Sequence, residues 1–149
     1  MEAAAEISGL IFRYAECIDG GDFGGVADLL AEAELTAGDG QLRCRGRAAV
    51  LRQYERSTRR YEDGTPHTKH VTTNVVIDVD EAAGTAAARS YYTVFQQVTG
   101  VLSLQPIIAG RYHDRFERTP AGWRFTSRDI LVDLVGDLRH HLLFDLPAG

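Results

Sequence analysis

Cysteine is scarce in this chain. Cys17 and Cys44 are the only two in 149 residues, and neither sits in a CxxC pair or beside other metal-ligating side chains. That pattern argues against a disulfide scaffold or a zinc module, and both thiols are expected to be reduced and partly buried. Long apolar runs are also missing, and the opening residues carry no secretory-signal pattern. A cytoplasmic protein with no membrane partner is therefore expected. Positive charge is in deficit: 16 Lys and Arg face 21 Asp and Glu, a net charge of −5. The densest basic cluster, Arg43 to Arg60, is offset by acids elsewhere, so nucleic acid is not an expected partner. No GxGxxG, P-loop or GxSxG occurs. His67 and His70 form an HxxH, but residues three apart on a strand face opposite sides. His140 and His141 lie near the tail. No Cys, His, Asp and Glu grouping has zinc spacing, so no metal is expected.

What remains is ordinary for a globular chain: 44% apolar and 25% charged residues, enough for one domain with one core over residues 1–149. Ile7, Leu10, Ile11, Tyr14 and Ile18 recur at helical spacing and predict a helix over 2–18, ended by Asp19-Gly-Gly-Asp22. Asp22 is the expected N-cap of a second helix, 23–31. Glu34–Thr36 and Gln41–Arg45 flank Gly38-Asp-Gly40 as a hairpin. A third helix is predicted over 47–60. Then come four long β-branched and aromatic segments, His67–Val79, Thr85–Val98, Leu102–Arg118 and Trp123–Val135, whose short connections imply antiparallel pairing. A short helical turn is expected near Asp137, followed by Leu142, Leu143 and Phe144. Helices gathered before an antiparallel sheet indicate an α+β fold. A long, twisted sheet curls, so three N-terminal helices on its concave face would close a cone-shaped barrel around an internal pocket.

Three stretches resemble the SnoaL-like branch of the nuclear transport factor 2 superfamily: Phe12-Arg-Tyr-Ala-Glu-Cys-Ile-Asp19, His70-Val-Thr-Thr-Asn74, and Gly110-Arg-Tyr-His-Asp-Arg-Phe-Glu-Arg118 ahead of Gly122-Trp-Arg-Phe125. The superfamily holds enzymes and non-enzymes, so fold alone does not settle function. The likeness is greatest to scytalone dehydratase, bile-acid 7α-dehydratase and hexachlorocyclohexane dehydrochlorinase, which are cofactor-independent lyases. They share an aspartate at the end of the first helix and a histidine at the start of a strand, and Asp19 and His70 fall at those positions. In the bile-acid enzyme a tyrosine precedes the aspartate by five residues, as Tyr14 does here. The second catalytic histidine of scytalone dehydratase has no clear counterpart; His113 is a candidate stand-in.

The resemblance thus implies a His70–Asp19 dyad. Neutral imidazole is a good base near neutral pH. A carboxylate on its other nitrogen fixes the tautomer and stabilises the imidazolium. Tyr14 could polarise a substrate carbonyl, or it could simply complete the apolar stripe. Tyr54 and one of Tyr91 and Tyr92 are substrate-binding candidates; alternation lets only one of that pair face inward, and Tyr92 is carried forward. Asn74 is an even number of residues from His70 and is expected on its face, where it could orient substrate or satisfy backbone. Thr72 is a weaker candidate there. Arg111 could bind an anionic group. Asp114 and Arg118 read as members of exposed cross-strand pairs. Ser127 and Asp129 share one face of the last strand, where a buried Asp or Ser could contact ligand; an Arg128–acid pair at a subunit interface is the equal alternative.

The expected activity is that of a cofactor-independent dehydratase or isomerase acting on a small, mostly apolar cyclic or polyketide-like carbonyl compound. Polyketide cyclisation uses the same proton abstraction. Epoxide hydrolysis, which in its own branch of the superfamily uses two aspartates bridged by an arginine, would need Asp114 or Asp129 to join Arg111. The rival from another class is a non-catalytic ligand-binding or assembly protein, like the small subunit of ring-hydroxylating dioxygenases. The resemblance also implies self-association through the outer sheet face, as a homotrimer or a homodimer.

Overall fold

A computed structural model describes residues 2–146. The first helix, α1, runs Glu2–Asp19, with Ile7, Ile11, Tyr14 and Ile18 buried along one stripe. Gly20 and Gly21 stop it, Gly21 at φ 73°, where a side chain would be strained. A Cβ on Gly21 would also lie 1.8 Å from the Gly64 carbonyl oxygen, so this turn packs directly on the loop that leads into the third strand. The next helix, α2 (Phe23–Leu29), is capped by Asp22, whose carboxylate accepts from Gly25 N–H at 2.8 Å.

A short hairpin follows, β1 (Glu34–Ala37) and β2 (Leu42–Arg45), then α3 (Arg47–Ser57). The meander is β3 (Thr68–Asp80), β4 (Thr85–Val98), β5 (Leu102–Thr119) and β6 (Gly122–Val135). One curved, unclosed sheet of six strands results, in the order β2-β1-β6-β5-β4-β3. The expected α+β architecture is present. One pairing departs from the antiparallel expectation: β1 runs parallel to β6, Leu35 opposite Arg128. The long chain between them supplies the crossover that parallel pairing requires. The hairpin thereby extends the meander.

Two helices are shorter than expected. The second ends at Leu29, where Leu30 N–H donates to the Val26 carbonyl and Ala31 N–H to that of Asp28. The third ends at Ser57, because Thr58 turns extended and bridges to Leu142 in the tail. The helical turn expected near Asp137 falls at Leu138, where His141 and Leu142 N–H groups donate to its carbonyl.

Helix α1 lies across β3 and β6. Every second residue of β4, among them Ala88, Ser90, Tyr92 and Val94, is buried under the helices. The core joins that face to Phe23, Val26, Leu30, Val50 and Phe125. No described helix is long and apolar enough to cross a membrane.

Candidate active site

Between the sheet and helices α1 and α3 lies a cavity of about 170 Å³. Ile18, Val94, Ile108 and Ile130 give it apolar walls, and Tyr14, Tyr54, Tyr92, Tyr112, His70 and His141 bring polar groups to it. Convergent polar groups in a mostly apolar hollow are the common make-up of a small-molecule site.

His70 enters from the start of β3, and Asp19 meets it from the last residue of α1. One Asp19 oxygen accepts from His70 Nδ1–H at 2.6 Å and from Thr68 Oγ1 at 2.9 Å. The other accepts from the His70 backbone N–H at 2.8 Å. Both side chains are largely shielded, at 7% and 13% exposure. Burial alone would raise the Asp19 pKa, but the hydrogen bonds and charge from His70, with the Thr68 hydroxyl, outweigh it and hold the carboxyl below its usual range. With Nδ1 engaged, Nε2 is the ring nitrogen left for the cavity, and in this tautomer it carries a lone pair.

The tyrosines form a second polar group. Tyr14 and Tyr54 hydroxyls bond to each other in a buried contact. Two hydroxyls carry two hydrogens and one serves the mutual bond, so one O–H remains to donate. Burial raises the pKa of both, with the Arg128 charge working against the shift, so both stay protonated donors at neutral pH. Tyr92 stacks on Tyr112 at 4.5 Å and donates to the Leu131 carbonyl at 3.1 Å. Gly110 permits this: a Cβ there would stand 2.7 Å from the Tyr92 hydroxyl and 1.9 Å from the Leu131 carbonyl. Tyr91 points outward and is 53% exposed.

Beneath Tyr14 and Tyr112 lies a fully buried ion pair. Arg128 Nε and Nη2 each donate at 2.8 Å to one oxygen of Asp114. The guanidinium carbon sits 4.2 Å from the Tyr14 ring centre and 3.7 Å from that of Tyr112. Burial would lower the Arg128 pKa, but the Asp114 carboxylate more than reverses this, so the guanidinium stays charged. The expectation that Asp114 is exposed, and that Arg128 meets its partner across a subunit interface, is corrected. They are opposed residues of β5 and β6 on the inner face.

Two substrate-binding candidates fall outside the cavity. Asn74 is exposed, at φ 53°. Its strand bulges there, the β3–β4 register shifting between Thr73 and Val76, and a bulge resets the even-number rule that put Asn74 on the His70 face. Arg111 lies on the outer face and forms a bidentate pair with Asp133 at 2.9 and 3.0 Å. This leaves no Arg111 bridge to Asp114 or Asp129; Asp129 instead accepts from Thr36 Oγ1 at 2.8 Å. His113 is exposed opposite Arg89 on the outer face and cannot act as the second histidine.

The position near His70 belongs instead to His141, its ring centre 6.3 Å away. Tail residues Leu142, Phe144 and Leu146 also line the cavity. Sequence reasoning missed Tyr112, His141 and the Asp114–Arg128 support. The alternation of Gly110, Tyr112 and Asp114 on one strand face was the available signal for two of them. Among the described residues, no three His, Cys, Asp or Glu side chains converge as a metal-binding group.

The solved structures bear the same fold. A nuclear transport factor 2-like protein with a cystatin-like fold from Novosphingobium aromaticivorans is 27% identical, at TM-score 0.72 over 88% of this chain and 82% of its own. A candidate scytalone dehydratase from the same organism is 20% identical, at TM-score 0.74 over 97% of this chain and 89% of its own. ActVI-ORFA from Streptomyces coelicolor is 19% identical, at TM-score 0.72 over 89% and 98%. Comparison with curated proteins gave no match. Residues 1–129 match the SnoaL-like domain, and the chain belongs to that family.

Proposed function

We propose that this protein is a lyase or isomerase whose base is His70, acting on a compact cyclic carbonyl compound. The observation that carries the reading is the Asp19–His70 pair at the wall of an apolar cavity. Asp19 fixes the tautomer that leaves Nε2 unprotonated and stabilises the imidazolium once a proton arrives. Nε2 removes a proton from carbon beside the substrate carbonyl, and the O–H left over from the Tyr14–Tyr54 pair donates to the oxygen that gains charge. When a hydroxyl stands one carbon further on, the imidazolium returns the proton to it. The C–O bond breaks, a C=C bond forms and water leaves. Without such a hydroxyl, the proton returns to carbon and the result is isomerisation. Every step uses groups of the chain itself.

The cavity volume bears on the alternatives. About 170 Å³ is below the usual range for drug-sized ligands. It accommodates one or two small rings more readily than a long chain awaiting ring closure, which favours dehydration over polyketide cyclisation. A shielded base in a hollow also has no use in a purely assembling subunit. Self-association through the outer sheet face belongs to this reading, since Val71, Val76 and Tyr91 are exposed there; light scattering gives the stoichiometry.

The test is a panel of cyclic β-hydroxy ketones followed by the absorbance of the conjugated product. Wild-type protein should turn over at least one member and His70→Ala none. Equal rates for the two proteins would remove His70 as the base.

A further inference from the structure

The family match ends at residue 129, and a polar group of the cavity lies beyond it. His141 is 6% exposed and lines the hollow, and its Nδ1 is buried with no partner among the described residues. Buried polar atoms are rarely left unpaired without a reason. The His70 and His141 rings are edge to face, their centres 6.3 Å apart. That is too far for one ring to bond the other, and near enough for a single oxygen to reach a nitrogen of each.

The ring is held in place by the main chain around it. His141 carbonyl oxygen accepts from Arg59 N–H at 2.8 Å, and Leu143 N–H donates to Ser57 at 2.9 Å. Gln96 Nε2 donates to the His140 carbonyl at 3.0 Å, as does the Tyr61 hydroxyl in a close contact. None of these bonds uses the imidazole. The tail is attached by its backbone and presents a side chain that the attachment does not need. Burial, then the neighbouring His70 charge, pulls the His141 pKa down to about 4. Near neutral pH the ring is uncharged, with one N–H to give.

We propose that His141 is a second imidazole of the site, contacting a substrate oxygen beside His70, distinct from the oxygen held by Tyr14 and Tyr54. In dehydration that oxygen is the departing hydroxyl. His141 donates to it and keeps its own proton, while the proton that completes the water comes from His70. The inference rests on the proposed function for the reaction, and on the cavity alone for the contact.

The experiment uses phenol and toluene, one ring with and one without an oxygen, titrated into the full chain with ¹⁵N-labelled histidine. Phenol should bind wild-type protein and shift the His141 ring nitrogens. His141→Phe should weaken phenol about tenfold, as loss of a hydrogen bond in a desolvated site does, and leave toluene unchanged. His141→Gln keeps a donor and should restore most of the phenol preference; it also serves if the phenylalanine variant does not fold. Parallel changes for both ligands, a preference lost in Tyr54→Phe but kept in His141→Phe, or no phenol binding at all would each overturn the inference. If His70→Ala still turns over the ketone panel while the phenol preference follows position 141, the reaction assignment falls and the contact stands. The converse pattern removes the contact alone.

Discussion

Asp19 grips His70 at two points, its ring and its backbone. One carboxylate oxygen takes the ring Nδ1–H at 2.6 Å and the other the main-chain N–H at 2.8 Å. The aspartate therefore orients the imidazole and anchors the start of β3 to the end of α1. Asp19→Asn should separate these roles. The amide can keep an acceptor on one group but cannot balance an imidazolium, so turnover should fall about a hundredfold or more. Urea unfolding should change by only ~1–2 kcal/mol. Unimpaired turnover would mean the carboxylate serves structure alone.

Acid should destabilise the fold through His141. Its pKa falls from 6.5 unfolded to about 4 folded, so between those values the unfolded chain binds more protons. Stability is complete above the unfolded value and declines as pH drops from 6.5 toward 4, by ~3 kcal/mol for this group. The lowered Asp19 pKa acts in the same direction further down, its contribution lost as pH falls below 3.8. Urea midpoints measured from pH 7 to 4 should show the decline, and His141→Gln should flatten it.

Breaking the Asp114–Arg128 pair should cost more than replacing it. Asp114→Asn leaves a guanidinium charge uncompensated at a fully buried site, a loss of about 3–5 kcal/mol. The double change Asp114→Leu with Arg128→Met removes both charges and should cost less. Denaturant melts of the two proteins, compared at one pH, give the difference.

Gly110→Ala should damage the site from outside it. The added methyl meets the Leu131 carbonyl at 1.9 Å and the Tyr92 hydroxyl at 2.7 Å, so β6 or the tyrosine must move. Overpacking of this kind costs about 1–3 kcal/mol. Loss of the Tyr92–Leu131 bond should appear as a changed tyrosine environment in near-ultraviolet circular dichroism.

The sequence was most legible where a local rule governs. The α1 stripe, the Asp22 cap and the Thr85–Val98 strand follow from periodicity and capping, and the structure has them. Asp19 and His70 were singled out through resemblance, since nothing local says that residues 51 apart will touch. The misreadings came where tertiary structure overrides a local count. A bulge after Thr73 turned Asn74 outward. Asp114 and Arg128 look like surface charges until cross-strand register sets them face to face beneath two aromatic rings. His141 belongs to a tail without periodicity, and long-range bonds to Arg59, Ser57 and Gln96, with the bridge between Thr58 and Leu142, bring it to the cavity.

That mode of attachment has an evolutionary consequence. Because backbone groups on both sides hold residue 141, the side chain there can be exchanged without unfastening the segment that carries it. Descendants of such a chain can try one functional group after another against the same His70 face of the cavity, each a single codon away, while the inherited scaffold stays intact.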